Sequence, residues 1–183
     1  MGMKALGRLF DVGIGLAPVD INTNNAETGM RISMSGHSGL TVIAITLVGG
    51  AEDLIFDVQQ ATAYTGGTSN DMDSTNGAIG VTEYYIKAET ALDNDESWVK
   101  VTQAEQSEVT VAGATYGTQQ KLVAFYVGAD QLADGYTHIS VNVSNPATAT
   151  SQILAVLYFP HDLLSQRAPA NLPNLLNPGA ANV

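Results

Sequence analysis

The chain has 183 residues, of which 45% are apolar and 14% charged, against about 25% charged in an average soluble domain. That length suits one domain, or one domain with long arms, and the low charge argues against disorder driven by self-repulsion. Seven Lys and Arg face 18 Asp and Glu, and the resulting formal charge of -11 repels phosphate, so nucleic acid is not expected as a partner.

Cysteine is absent, which excludes a disulfide framework, thiolate zinc sites and a cysteine nucleophile. The charge is unevenly placed. Residues 1–40 are net neutral, residues 41–162 carry -12 and residues 163–183 carry +1, so an acidic middle lies between two apolar, nearly neutral ends.

Residues 1–28 hold apolar side chains without a sustained period and read as an N-terminal arm. Lys4 and Arg8, followed by Leu9, Phe10, Val12 and Ile14, loosely imitate a signal peptide. Asp11 interrupts that run and Pro18 follows, so no export signal is expected. No run of about 18 apolar residues occurs, and no membrane span is expected.

Residues 29–160 read as the core, and they read as β-structure. Short β-branched and aromatic runs recur between Gly, Asn, Asp and Ser clusters. Residues 40–48 are almost continuously apolar, which predicts a central strand covered on both faces. Leu54, Phe56 and Val58, then Tyr84, Ile86 and Ala88, then Ile139, Val141 and Val143 alternate with polar neighbours and predict half-wet strands. Further strands are predicted over 98–103, 108–112, 121–127 and 152–159. Residues 64–80 read as a projecting polar loop, and residues 113–120 as a hairpin turn. The predicted fold class is all-β: an antiparallel β-sandwich or jelly-roll-like single domain with extended N- and C-terminal arms.

Residues 161–183 read as the C-terminal arm. Pro169, Pro173 and Pro178 rule out a long helix there, while Leu163, Leu164, Leu172, Leu175 and Leu176 are too many for a solvated tail. Such an arm needs a surface, either its own sandwich or a neighbouring subunit.

Few patterns in the chain carry chemistry. Residues 33–39, Ser-Met-Ser-Gly-His-Ser-Gly, imitate a hydrolase elbow but misplace a glycine and precede the strand. Residues 71–77 open like a calcium loop, yet the glycine comes one residue late and Thr82 stands where a bidentate Glu is needed. Residues 93–96, Asp-Asn-Asp-Glu, fail similarly, and both acidic runs read as solvated turns. His37, His138 and His161 have no partner at metal-ligand spacing and read as surface or strand-end residues. Gly13-Ile14-Gly15 lacks the third glycine of a dinucleotide loop. The Asn142-Val143-Ser144 acceptor pattern falls within a strand. No cofactor, metal or catalytic residue is assigned, and an enzyme is the least supported class. Tyr136, after Asp134-Gly135, reads as the tyrosine corner of a sandwich, and Trp98 as core.

Several short phrases point to a family. These are the opening Met-Gly-Met-Lys-Ala-Leu-Gly-Arg-Leu-Phe, the run Tyr84-Tyr85-Ile86-Lys87-Ala88 leading to Trp98, the Asp134-Gly135-Tyr136 corner and Gln166-Arg167-Ala168-Pro169. Through them the chain resembles the auxiliary capsid proteins of tailed bacteriophages, called decoration or cement proteins. The resemblance implies a virion protein on the capsid exterior, assembled in the bacterial cytoplasm, which braces neighbouring major capsid protein subunits. It also implies a homo-oligomer, with a trimer favoured. Partner contacts are expected from Lys4, Arg8, Phe10, Leu163, Leu164, Arg167, Leu172, Leu175 and Leu176, the two arginines pairing with acidic groups of a neighbour. The alternatives are another virion component, such as a head-tail connector, tail or fibre-base protein, and a carbohydrate-binding module.

Overall fold

Alternation of apolar and polar side chains governs the architecture. Leu54, Phe56 and Val58 are buried along β4 (Leu54–Ala61), as are Ile139, Val141 and Val143 along β10 (His138–Ser144). Each is a strand with one dry face, and each fully buried aliphatic or aromatic side chain contributes about 1.5–3 kcal/mol by leaving water. The structure, a computed structural model, describes residues 5–6, 9–21, 26–144 and 151–163, with Leu163 described in its backbone alone.

The remaining elements are β1 (Gly13–Asp20), β2 (Ile32–Ser33), β3 (His37–Thr46), β5 (Ser69–Asp71), β6 (Val81–Glu89), β7 (Val99–Gln106), β8 (Glu108–Val111), the single-turn helix α1 (Gly113–Tyr116), β9 (Gln120–Gly128) and β11 (Ile153–Leu163). Six strands form one antiparallel sheet in the order β1-β11-β3-β9-β6-β7. The other sheet runs β2-β10-β4-β5, and β8 pairs the same edge of β4 nearer its start.

The sheets pack face to face as a β-sandwich. Phe56 of β4 meets Phe125 of β9 with ring centroids 6.3 Å apart, and the shared core takes residues from nearly every strand. The backbone N–H of Val141 on β10 donates to the Tyr158 phenol on β11 across the core.

Several expectations need correction. The segment 1–28 is not wholly an arm, because β1 pairs with β11 as an edge strand and Glu27 exchanges backbone hydrogen bonds with Val143. The core likewise runs past residue 160, since β11 remains paired with β3 as far as Leu163 opposite His37. Residues 64–80 do not simply project. They contain β5 and a 3-10 turn capped by Asp73, and Met72 and Ala78 are buried against the core. Residues 113–120 hold α1 and not a plain hairpin turn, and there Lys121 reaches back to donate to the carbonyls of Tyr116 and Gln119 at 2.9 Å each. Lys121 is buried, and desolvation pulls its pKa down to about 8.

Candidate interaction face

Strand β3 buries Leu40, Val42, Ala44 and Thr46 on the core side, so Thr41, Ile43 and Ile45 point away from it. The same parity turns Leu122, Ala124 and Tyr126 of β9 outward, together with Ala155, Leu157 and Phe159 of β11. Strand register then aligns these side chains into rows. One row runs Ile14, Leu157, Ile43, Ala124, Tyr85 and Lys100 across all six strands. A parallel row runs Ala155, Ile45, Leu122 and Lys87.

The outcome is a sheet face that is mostly apolar across β11, β3 and β9, with Asp20 opposite Ile153 at the β1 edge and more charge toward β6 and β7. There Lys100 pairs with Glu83, a surface ion pair that contributes little to stability. Ile14, Ile45, Tyr126 and Ile153 are all exposed on it. The predicted burial of residues 40–48 on both faces is therefore half right. The core covers one side of β3, while Ile45, Leu47 and Val48 stand exposed.

A shallow depression of about 340 Å³ lies in this face, lined by Thr41, Tyr85, Trp98, Ala124 and Tyr126. Trp98 is 45% exposed, which corrects its assignment to the core. It precedes β7, the edge strand of the sheet, and the Lys87 ammonium sits 5.5 Å from its ring centroid. The Tyr126 ring lies 5.6 Å from that of His161. Partial burial, then Asp130 and Asp162, raise the Tyr126 phenol above its ordinary pKa.

Of the expected partner-binding residues, Phe10 is used within the chain: it bridges to His161, and its ring lies 6.0 Å from that of Phe159. Leu163 ends the ladder between β11 and β3. Lys4, Arg8, Leu164, Arg167, Leu172, Leu175 and Leu176 lie outside the described residues.

The other motifs resolve into structural roles. Ser33 is buried at the end of β2 and its hydroxyl accepts from the N–H of Ser35, while Gly36 makes the turn into β3 at φ 91°. His37 and His161 are close enough to interact electrostatically, whereas His138 lies in the other sheet. His37 is buried, with Nε2 unpartnered, and its pKa falls to about 4 through desolvation and then repulsion from His161. Asp71 accepts from Gln59, and Asp73 caps the turn after it. Glu89 at the end of β6 and Asp93, Asp95 and Glu96 on the following loop bring carboxylate oxygens within 4.8 Å of one another, and Asp95 foremost raises the pKa of Glu89. The Tyr136 phenol accepts from the Asn70 side chain, whereas the phenol of a tyrosine corner is tied to the backbone a few residues upstream. Asn142 accepts from the N–H of Gly29.

The face itself was missed in the sequence, although its signal was present. The unbroken apolar run through β3 predicted a second cover that the core does not supply. No protein-family model matches the chain, and no curated protein matches it in sequence.

Proposed function

We propose that the chain is a non-enzymatic virion structural protein that binds the outside of an icosahedral bacteriophage head and cements neighbouring major capsid subunits. The observation that supports this reading best is the exposed apolar face of the six-stranded sheet on a chain whose middle carries most of a strongly negative charge. A face of that kind drives association by burial, while the acidic remainder keeps whole particles apart. The resemblance to decoration proteins supplies the partner, the major capsid protein, and the trimeric assembly. The test is to add the purified chain to heads assembled without it and measure bound copies per head by sedimentation. Saturable binding at a fixed ratio to the capsid subunit is expected.

A carbohydrate-binding surface is the second reading, favoured by one observation. Tyr85, Trp98 and Tyr126 expose three aromatic rings around one depression, an arrangement that sugar rings can stack on. A glycan array separates the two. Binding that disappears on Trp98→Ala supports the sugar, and silence across the array removes it.

A further inference from the structure

We propose that the outward face of the six-stranded sheet binds a chain of uncharged sugar rings along a diagonal aromatic stripe, Trp98, Tyr85 and Tyr126, that crosses from β7 over β6 to β9. This rests on the carbohydrate reading above and names its ligand, an extended neutral oligosaccharide and not a single sugar.

Strand register lines up the rings. Tyr85 of β6 lies opposite Lys100 of β7 on one side and Ala124 of β9 on the other. Tyr126 stands two residues after Ala124 and Trp98 two residues before Lys100, so both are diagonal neighbours of Tyr85. The outward-facing Lys87 lies against the Trp98 ring, which puts Trp98 on the same face. Both partner strands run antiparallel to β6, so the two diagonals point in opposite directions and the three rings fall on one line. At about 7–8 Å per diagonal step the line is roughly 15 Å long, more than one pyranose ring can cover. Beyond Tyr126 it continues to His161, whose ring centroid is 5.6 Å away. Gly39 keeps that step open, since a Cβ there would stand 2.5 Å from the His161 ring and 2.9 Å from the Tyr126 ring.

The groups beside the rings suit hydroxyls. The depression of about 340 Å³ adjoins a second of about 220 Å³, lined by Thr82, Glu83, Tyr85, Tyr126 and Gln131, and the two share both tyrosines. A pyranose offers C–H groups on its faces and hydroxyls at its edges, so exposed rings bordered by hydroxyl, carboxylate and amide groups match both. The Glu83 carboxylate is held in place there, paired with Lys100 and accepting from the Tyr85 phenol. A purely apolar occupant would cover these polar groups without bonding them.

Charge selects a neutral ligand. Lys100 is already paired with Glu83, Lys87 sits over Trp98, and Asp130 and Asp162 flank Tyr126. Two cations against three carboxylates make no cradle for a polyanion, and the whole chain at -11 repels one. A second copy is the weaker occupant on the same ground, because it brings another -11. The stripe leaves Ile14, Ile43, Ile45 and Leu157 clear, so the capsid reading neither needs it nor falls with it.

The test titrates the full chain by calorimetry with glucose, mannose and N-acetylglucosamine, then with cellohexaose, maltohexaose, mannohexaose and chitohexaose. A hyaluronan hexasaccharide is the anionic control, and emission of Trp98, the single tryptophan, is followed in parallel. The expected result is saturable binding of at least one neutral hexasaccharide, about tenfold or more tighter than its own monosaccharide, with a blue shift of the emission. Tyr85→Ala, Trp98→Ala and Tyr126→Ala are each expected to weaken it about tenfold, with cooperative unfolding retained. Should an alanine variant fail to fold, Leu at the same position keeps the bulk, removes the ring and decides instead. Equal affinity for hexasaccharide and monosaccharide, or binding that survives all three substitutions, overturns the stripe while the carbohydrate reading stands. Silence across the series overturns both. Hyaluronan bound as tightly as the neutral chains overturns the uncharged ligand. Silence together with Trp98 emission that shifts as protein concentration rises assigns the face to a second copy and overturns the proposal.

Discussion

The backbone N–H of Val141 donates to the phenolic oxygen of Tyr158 at 2.9 Å inside the core, so a side chain of the six-stranded sheet completes the hydrogen bonding of the other sheet. Both residues are buried, and burial lifts the Tyr158 phenol far above the ordinary tyrosine range. Tyr158→Phe keeps the ring and orphans a buried N–H. The expected loss is about 1–3 kcal/mol in denaturant unfolding, with the secondary structure unchanged. An unaltered midpoint would show that Val141 finds another partner.

Gly29 tests whether the start of the chain is part of the sandwich. A Cβ at this position would stand 2.1 Å from the Val141 carbonyl oxygen, where only backbone could give way. Gly29→Ala is expected to cost about 1–3 kcal/mol and to loosen the pairing of Glu27 with Val143. Amide hydrogen exchange at Val143 checks the local part of that expectation, and protection equal to the parent chain would refute it.

Acid should weaken the fold through His37. Its imidazole titrates near 4 when folded and near 6.5 when unfolded, so between those values the unfolded chain binds the extra proton. Stability from this group is complete above about pH 6.5 and falls as the pH drops toward 4, by up to about 3 kcal/mol. Asp11 and Asp57 act oppositely at the acid end of this window, because burial raises their pKa values and the folded form then holds the proton. His37→Leu is expected to flatten the decline between pH 6.5 and 4 in unfolding titrations. An equal decline in both proteins would assign it elsewhere.

Trp98 separates surface from core. Because its ring is exposed over the depression, Trp98→Ala is expected to change unfolding free energy by no more than about 1 kcal/mol. A loss of about 3 kcal/mol, the figure for a buried aromatic, would return it to the core.

The strands were legible where one residue in two is apolar, as in β4, β6 and β10, since that period has no other stable reading. β1 was not, because Gly13, Gly15, Ala17 and Pro18 give it little β-propensity and its pairing with β11 is a long-range contact. Met72 was hidden in a polar stretch for the same reason: its burial is set by β4, against which Met72 donates its N–H to Val58. Trp98 was not legible as a surface residue, because its exposure follows from a position beside the sheet's edge strand, which depends on strand order. The interaction face was legible only as a surplus of apolar residues in β3. Which side of the strand lacked a cover depends on sheet order, and no local pattern encodes that order.

Imaging heads assembled with this chain tests the central proposal most directly. Electron cryomicroscopy of shells mixed with the parent chain, and with a chain carrying Ile43→Glu and Leu157→Glu on the outward face, compares occupancy at the capsid exterior. The expected result is density bridging neighbouring capsid subunits with the parent chain, and bare shells with a variant that still unfolds cooperatively. Bare shells with the parent chain, or equal decoration by the folded variant, would contradict it.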